Sequence, residues 1–370
     1  MRRIPPAVLQ MTALSRRALL QGTAGLLLAP AGTQALAPRS LQFPRDFGAH
    51  PDLRTEWWYI TGHARAGQRV LGFQVTFFRA RVDAAQSLRS AFAARQLIFA
   101  HAAITDLQGK RLWHDQRIAR AGFGIAQADE ADTRIALRDW TLTREGPAAQ
   151  GHYTARIAAQ DFSIELRFDS TQPLLLQGRE GLSRKGPLPE QASYYYSRPH
   201  LRASGVLGLQ RERLAVEGTA WLDHEWSETL MHPEAVGWDW IGMNLFDGSA
   251  LTAFRLRRKN GSALWDGGSF RSSPATGSQL YIAARGENEF LPVRWWQSPV
   301  TQARYPVEWI VKTPADFYTV RALLDAQELD SRRSTGAIYW EGLSDLFDSN
   351  GRHVGRGYLE MTGYASPLQI

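Results

Sequence analysis

Short runs of alternating apolar and polar residues recur along most of the chain. Residues 162–168, Phe-Ser-Ile-Glu-Leu-Arg-Phe, are the plainest case, because every second side chain is apolar. Side chains two residues apart lie on the same face of a β-strand, so this alternation predicts a strand with one buried face. Similar strands are predicted at residues 57–63, 70–76, 97–104, 135–142 and 153–158.

Turn-forming pairs separate many of these runs and favour hairpins. The pairs are Ala66–Gly67, Gln108–Gly109, Asp247–Gly248, Asn260–Gly261 and Asn350–Gly351. The best helix candidate, within residues 314–328, is short and mixed. The sequence therefore predicts an all-β protein of two antiparallel barrels or sandwiches in tandem. A Gly- and Pro-rich stretch, residues 177–189, interrupts the strands and is predicted to be a loop lining a cleft.

Length and composition agree with this architecture. A chain of 370 residues fits two domains better than one, since domains commonly contain about 100–200 residues. We place the boundary near residue 225, which gives domains 38–225 and 226–370. The apolar fraction of 44% and charged fraction of 21% exclude a disordered or fibrous chain. The chain has no cysteine, which excludes disulfides, thiolate metal sites and cysteine nucleophiles.

The first 37 residues resemble an export signal. Ser15–Leu20 contains a twin-arginine pattern, and a modest apolar stretch follows it from Gly22 to Ala31. Small residues allow cleavage after Ala35 or Ala37. The apolar stretch is shorter than the ~20 residues that a membrane span needs, and no other segment qualifies. We therefore expect a periplasmic or secreted protein, the alternative being an N-terminal tail of no special function.

The basic charge changes little once this segment is set aside. Four of the 43 basic residues lie in residues 1–37, which contain no acidic residue, so the net charge falls from +7 to +3. The densest basic run, Arg255–Lys259, leads into a turn pair and is predicted to be a solvated hairpin end. A nucleic-acid partner is therefore not expected.

Three clusters combine carboxylates, His and aromatic pairs: Glu56–Tyr59, Trp221–Trp226 and Gly237–Trp240. In the third, alternation places Asp239 on an apolar face and Trp238 and Trp240 on the other. An unpaired carboxyl group on an apolar face has a raised pKa and can donate a proton near neutral pH. The alternative is a structural ion pair between Asp239 and an arginine.

The other two clusters divide in the same way. Alternation places His224 and Trp226 on one face, with Asp223 and Glu225 on the other. His224 is a proton-shuttle candidate beside these carboxylates, the alternative being a fully hydrogen-bonded His at a strand end. Trp57 and Tyr59 share one face, whereas Glu56 and Trp58 share the other. These rings either bind a ligand or fill a core.

Other enzyme classes lack support. No His pair has zinc-ligand spacing, and there is no Gly-x-Ser-x-Gly turn, phosphate-binding loop or dinucleotide fingerprint. A serine or metal hydrolase, or an enzyme using ATP or NAD, is therefore not expected.

Long motifs rich in uncommon residues resemble the AttH-like, lipocalin-like family, which also includes carotenoid 1,2-hydratase (hydroxyneurosporene synthase). The resemblance covers nearly all of the chain after residue 37. The matching segments are residues 55–59, 177–186, 193–199, 221–226, 237–240, 339–342 and 355–364. The Asp223–Trp226 run and the export signal resemble the AttH-like branch more closely than the carotenoid hydratases.

The resemblance implies two consecutive lipocalin-like β-barrels acting on an apolar isoprenoid- or lipid-like molecule. One hypothesis is cofactor-free hydration or isomerisation of a C=C bond by acid catalysis. The candidate catalytic residues are Asp239, His224, Asp223 and Glu225. The candidate ligand-binding residues are Glu56, Trp57, Trp58, Tyr59, Tyr195, Trp226, Trp238 and Trp240. The alternatives are a carrier of hydrophobic ligands and an accessory protein of an envelope ABC transporter.

Overall fold

The computed structural model describes residues 35–229 and 231–368. Within these ranges, 23 strands form two antiparallel sheets, which confirms the all-β prediction. The remaining regular elements there are a one-turn helix, α1 (Asp83–Gln86), and 3₁₀ turns at Arg45–Phe47 and Pro274–Thr276. No helix of the described residues is long and apolar enough to cross a membrane. Most of the predicted export signal, residues 1–34, lies outside the described part of the chain.

The first sheet contains the first 13 strands and is nearly a closed barrel. Its order is β4-β3-β2-β1-β13-β12-β9-β8-β7-β6-β5, with β10 and β11 pairing with β12 beside this path. Strands β3 and β4 at one end contact β5 and β6 at the other. The bounds are β1 (Thr55–Ala66), β2 (Arg69–Arg81), β3 (Gln96–Asp106), β4 (Arg111–Arg120), β5 (Ala126–Ala128), β6 (Arg134–Leu137), β7 (Trp140–Glu145), β8 (His152–Ala158), β9 (Phe162–Asp169), β10 (Leu175–Leu176), β11 (Leu182–Arg184), β12 (Ala192–Leu209) and β13 (Glu212–Thr229).

The second sheet contains ten strands in the order β17-β16-β15-β14-β23-β22-β20-β19-β18, with β21 pairing with β22. In each sheet the chain begins at a central strand, steps outward through three more, and returns from the far end. The first strand then pairs with the last. The bounds are β14 (Ala235–Leu245), β15 (Ala250–Arg258), β16 (Ala263–Arg271), β17 (Leu280–Ala283), β18 (Glu289–Gln297), β19 (Arg304–Lys312), β20 (Phe317–Ala322), β21 (Glu328–Ser331), β22 (Ala337–Phe347) and β23 (His353–Thr362).

Five of the six predicted strands agree with these elements, but residues 135–142, predicted as one strand, contain β6 and β7 joined by a turn at which Arg138 has a φ of +58°. Alternation along β9 buries Phe162, Ile164, Leu166 and Phe168. Each of the five predicted turn pairs joins two consecutive strands. At Asn260–Gly261 the glycine has a φ of +83°, a conformation that favours glycine. The best helix candidate, residues 314–328, instead contains β20 and the first residue of β21.

The predicted domain boundary near residue 225 falls inside β13. The chain leaves the first sheet after Thr229 and enters the second at Ala235. The residues from Ala35 onward form one compact unit by their internal contacts. The division into domains 38–225 and 226–370 therefore stays a prediction.

Large buried rings fill the interior of the first sheet, among them Trp58, Trp140 and Trp226. The segment that precedes β1 packs against this core through Leu41, Phe43 and other apolar side chains. A separate apolar core fills the interior of the second sheet. A third apolar cluster joins the two sheets. Tyr59 and Trp221 of the first sheet pack there with Trp240 of the second.

Candidate active site

A cavity of about 370 Å³ lies between the two sheets. The first sheet contributes Trp57, Phe78 and Tyr195, and the second contributes Trp240 and Phe254. Large aromatic rings from both sheets therefore line the cavity, together with several charged side chains. Lys185, from the segment predicted to line a cleft, also borders it.

Strand alternation divides the predicted residues of the first sheet into two groups. Trp57, Tyr59, Tyr195, Asp223 and Glu225 line the cavity. They belong to β1, β12 and β13, whose register places Trp57 opposite Glu225 and Tyr59 opposite Asp223.

The other group faces the interior of the first sheet. Trp58, His224 and Trp226 are fully buried there, and His224 stacks on Trp58 with ring centroids 4.5 Å apart. Glu56 borders the cavity, but its carboxylate is bonded to His224 at 2.9 Å. The structure therefore separates the proton-shuttle candidate His224 from the cavity. The reason is strand alternation: Asp223 and His224 are consecutive residues of β13, so they point to opposite faces of the sheet, and Asp223 faces the cavity.

Asp223 is held in place by three donors. Trp221 Nε1 and Ser197 Oγ donate to Oδ1 at 2.7 and 2.5 Å, and Tyr195 Oη donates to Oδ2 at 2.7 Å. Burial raises the pKa of the Asp223 carboxyl to about 7, although these donors favour the carboxylate.

Glu225 is paired with a cation inside the cavity. Lys185 Nζ lies 2.9 Å from Glu225 Oε1, and Ser193 Oγ donates to the same oxygen. Lys185 also lies 4.1 Å from the Phe254 ring centroid. The pair therefore places a compensated charge beside the aromatic rings of the wall.

Two cavity carboxyl groups were missed by the sequence prediction. Glu341 on β22 and Glu360 on β23 are directly opposite each other in the sheet. Burial raises the pKa of Glu341 well above its usual range, and the charge of Glu360 acts in the same direction. Burial also raises the pKa of Glu360 to about 7. Two adjacent carboxyl groups in such surroundings do not both ionise, so the pair retains a proton at neutral pH.

Both glutamates lie in segments that carry the family resemblance, residues 339–342 and 355–364. Alternation also placed them on the face opposite the buried Trp340 and Leu359. The missing information was the pairing of β22 with β23, which a single sequence does not provide.

A group of unpartnered polar atoms lies around Glu341. Gln74 Nε2 donates to Glu341 Oε2 at 2.7 Å and contacts Tyr339 Oη at 3.3 Å. Among the described residues, Gln74 Oε1, Tyr59 Oη and Glu341 Oε1 are buried without a hydrogen-bond partner. Because unpartnered buried polar atoms are costly, this group is suited to a polar atom of a bound molecule.

The predicted rings of the second sheet also line the cavity. Trp238 and Trp240 both border it, and Trp240 Nε1 donates to Tyr195 Oη at 3.3 Å. A Cβ on Gly242 would meet the Trp240 ring at 2.3 Å, so glycine leaves room for that ring.

Asp239 lies away from the cavity, in the interior of the second sheet. Its Oδ2 is 2.7 Å from Arg255 Nε and 3.3 Å from Arg257 Nε, and Tyr364 Oη donates to Oδ1 at 2.8 Å. Asp239 therefore has the geometry of the ion-pair alternative and does not line the cavity, so the cavity offers no support for its prediction as the catalytic acid. The prediction of a solvated end for Arg255–Lys259 is wrong for these two arginines, because alternation turns both toward Asp239.

A second buried network ties the N-terminal segment to the first sheet. His50 lies 2.7 Å from Glu56 Oε1 and 3.0 Å from Asp46 Oδ1. Arg79 Nε donates to Glu56 Oε2 at 2.7 Å. His50, Glu56 and His224 offer atoms close enough to surround a metal ion. Each contact already has hydrogen-bond length, so we interpret the group as a structural network.

Burial opposes ionisation of Glu56, but hydrogen bonds from His224 and His50 hold the pKa of its carboxyl well below the usual range. Asp46 shows the same direction, because His50 and Arg39 outweigh the effect of burial on its pKa. For His224 itself, burial lowers the pKa to about 4.

Comparisons with known proteins agree with the two-sheet structure. The AttH-like family model matches residues 34–364. The chain belongs to the AttH-like family. An AttH protein of known structure from Nitrosomonas europaea is 46% identical, with a TM-score of 0.82, over 89% of this chain and 99% of its own. The predicted family resemblance is thereby confirmed. No curated protein matches the chain.

Two more distant structures share the fold of this AttH-like protein. Kievitone hydratase from Nectria haematococca is 14% identical, with a TM-score of 0.65, over 84% of this chain and 89% of its own. The protein CghA, solved with Sch210972, is also 14% identical, with a TM-score of 0.51, over 85% and 88% of the two chains. The prediction of a tandem lipocalin-like fold is confirmed.

Replacing Asp239 with Asn should destabilise the protein, because it leaves two arginines facing a neutral group in a buried site. We expect a loss of about 3–5 kcal/mol in the free energy of unfolding, measured by denaturant titration. Glu234→Gln is the matched control, since the exposed Glu234–Arg258 pair should contribute less than about 1 kcal/mol. Equal effects of the two variants would contradict the structural role of Asp239.

Acid should weaken the protein through the Glu56 network. A carboxyl group whose pKa is lowered by folding stabilises the protein above its unfolded pKa of about 4.3, and this contribution is lost as the pH falls. The free energy of unfolding should therefore decrease from about pH 5 downward, and Glu56→Gln should make this decrease shallower. Denaturant titrations between pH 7 and 3 measure both, with exposed Glu217→Gln as the control. An unchanged pH dependence in Glu56→Gln would exclude this role.

Proposed function

We propose that this AttH-like protein is an enzyme that hydrates or isomerises a C=C bond in an apolar isoprenoid- or lipid-like molecule. The observation that carries the proposal is an aromatic cavity containing carboxyl groups, Asp223 and Glu360, whose pKa values are raised to about 7. A neutral carboxyl group in an apolar site is a proton donor at physiological pH.

Glu360 is better placed than Asp223 to donate the proton. Both oxygens of Asp223 already accept hydrogen bonds from the protein. Glu360 keeps part of its surface exposed and lines the cavity. Its neighbour Glu341 is nearly fully buried, so Glu360 is the member of the pair that meets a ligand.

In the proposed reaction, the Glu360 carboxyl proton forms a C–H bond with the π electrons of the alkene. The products of this step are a carboxylate and a tertiary carbocation. Trp57, Trp238 and Trp240 line the cavity that holds the cation, and cation–π attraction to an aromatic ring contributes about 2 kcal/mol or more in a desolvated site. Water then bonds to the cation and returns a proton to the carboxylate, which restores the acid. In the isomerisation, the Glu360 carboxylate instead takes a proton from a different carbon next to the cation, and the electrons of that C–H bond form the new C=C bond.

The unpartnered group around Glu341 is suited to hold this water. Gln74 Oε1 accepts a hydrogen bond, whereas Tyr59 Oη and a protonated Glu341 donate one. Water offers both functions, as does the hydroxyl group of a hydrated product. The steps require no cofactor.

Two comparisons support hydration as the reaction class. Kievitone hydratase, which is named for a hydration, shares the fold, and the sequence resembles the family that includes carotenoid 1,2-hydratase. The identity of 14% shows the fold alone, so the cavity geometry carries the assignment.

A non-catalytic carrier is the second candidate, because the same apolar cavity also suits simple binding of a hydrophobic molecule. It differs from the enzyme in needing no acidic group at Glu360. An accessory role at an envelope ABC transporter needs neither an acidic group at Glu360 nor a bound hydrophobic molecule.

Glu360→Gln should abolish turnover and retain the ligand, since the amide has the same shape and no acidic proton. We expect a rate decrease of about 10²–10⁴-fold. The protein is first purified from the periplasm of the cells that naturally produce it. Native mass spectrometry and organic extraction then identify the bound ligand. Turnover is then followed as uptake of isotope-labelled water, or as a new isomer. In the wild type the rate should fall as the pH rises through about 7, because Glu360 loses its proton.

Glu217→Gln, an exposed carboxylate on β13, is the control for this experiment and should leave the rate unchanged. Full activity in Glu360→Gln would contradict the assigned acid. A ligand that is bound but never converted, by wild type or variant, would favour the carrier.

Export by the twin-arginine route is part of the same proposal. Replacing Arg16 and Arg17 together with lysine should keep the protein in the cytoplasm, because the route recognises the arginine pair. Immunoblotting of cell fractions measures the distribution. Continued export of this variant would contradict the twin-arginine route.

A further inference from the structure

The apolar wall of the cavity continues to the protein surface along one row of side chains. Trp57 on β1 is opposite Phe78 on β2, which is opposite Phe99 on β3, which is opposite Ile118 on β4. Directly opposed residues of antiparallel strands share a face, so all four lie on the cavity side of the first sheet. The first three line the cavity, whereas Ile118 is 42% exposed. The neighbouring row, which contains His101, ends at Gln116 on β4. Gln116 Nε2 donates a hydrogen bond to the backbone oxygen of Asp330, so this row ends against the second sheet and not at the surface.

Two residues after Ile118 on the same face of β4, Arg120 contacts an exposed apolar patch formed by the α1–β3 loop and the β4–β5 turn. Phe92 and Phe123 are 72% and 57% exposed, and their rings stack with centroids 5.5 Å apart. Leu88 in the same loop and Ile125 in the same turn are also exposed. Exposed aromatic rings that contact each other form a continuous apolar surface, unlike the scattered single residues common on proteins.

The two segments that carry the patch also carry basic residues without acidic partners. The Arg120 guanidinium lies 4.1 Å from the Phe123 ring centroid and 5.4 Å from that of Phe92. Arg89 and Arg95 lie in the α1–β3 loop, and among the described residues no carboxylate forms an ion pair with any of these three arginines. The loop and the turn that form the patch, residues 87–95 and 121–125, contain no Asp or Glu. We name Leu88, Phe92, Arg95, Arg120 and Phe123 the aromatic–basic patch.

We propose that the aromatic–basic patch docks the protein on an anionic lipid surface, and that apolar molecules pass between this surface and the cavity along the Phe99–Ile118 row. Apolar rings enter the interface of a bilayer by about 5–10 Å, and arginines bind the lipid phosphates above them. The patch combines both features, and its position at the end of an apolar row explains why they occur here. Docking rests on the patch alone, whereas the transfer route also requires the apolar ligand of the proposed function.

Vesicle co-sedimentation of the purified full chain tests the docking. The probes are vesicles of phosphatidylcholine alone and vesicles that also contain phosphatidylglycerol. We expect binding to the anionic vesicles, little binding to the neutral ones, and weaker binding at high salt. The double variant Phe92→Ser, Phe123→Ser should bind at least about tenfold more weakly, because it removes two apolar side chains from the interface.

The matched control is the double variant Val300→Ser, Phe317→Ser, which removes two exposed apolar side chains, 81% and 57% exposed, from the second sheet region. It should bind anionic vesicles as the wild type does. Both double variants change exposed side chains, so their unfolding midpoints should remain close to that of the wild type.

Equal losses in both double variants, or an unchanged affinity in Phe92→Ser, Phe123→Ser, would overturn the proposal. Failure of the wild type to bind any vesicle would also overturn it. Capture of a protein partner through Phe92 and Phe123, without vesicle binding, would assign the patch to that protein instead. Turnover of the extracted ligand in detergent by the Phe92→Ser, Phe123→Ser variant separates the two proposals. Wild-type turnover there, with lost vesicle binding, supports docking and leaves the chemistry intact.

Discussion

The pairing of β1 with β13 is the constraint on which the rest of the structure depends. It joins residues 55–65 to residues 217–227 and gives both strands two buried faces. One face completes the core of the first sheet, and the other forms a wall of the cavity. The Glu56–His224 bond lies on the first face and fixes the two strands from within, while Asp223 and Glu225 lie on the second. The same pairing thus positions both the structural network and the candidate chemistry.

Burial raises the carboxyl pKa both in the Glu56 network and in the cavity, but the net result differs because the neighbours differ. Glu56 is surrounded by two imidazoles and a guanidinium, so it remains charged despite full burial. Glu341 and Glu360 meet aromatic rings and each other, so burial favours the neutral form. In this protein, a buried carboxyl group with a cation beside it is a charged structural group. A buried carboxyl group without a cation beside it is neutral and can donate a proton. Asp239 belongs with Glu56 in this respect.

The sequence was sufficient to predict five strands of the first sheet, five hairpin turns and the face on which each candidate side chain lies. These properties depend on residues two positions apart, which the sequence shows directly. Partners across strands were not predictable in the same way. Asp239 has its arginine partners 16 and 18 residues later, yet the run that contains them was assigned to solvent. The Glu341–Glu360 pair was missed because the pairing of its strands cannot be derived from local alternation. Local alternation also cannot predict that side chains from the two sheets line one cavity, because this depends on how the sheets pack together.

The closing pair β1–β13 also has a consequence during synthesis of the chain. After β1 is synthesised, the edge that pairs with β13 has no partner until residues 212–229 have been made. Ribosomes add about 5–20 residues per second. That edge is therefore without its final partner for on the order of 10–30 s. An unpaired edge is a template for wrong pairing between nascent chains. Strand β14 repeats the delay until β23 is made, so each sheet is completed only by its own last strand. Nascent-chain protection by a chaperone is most useful in these two intervals.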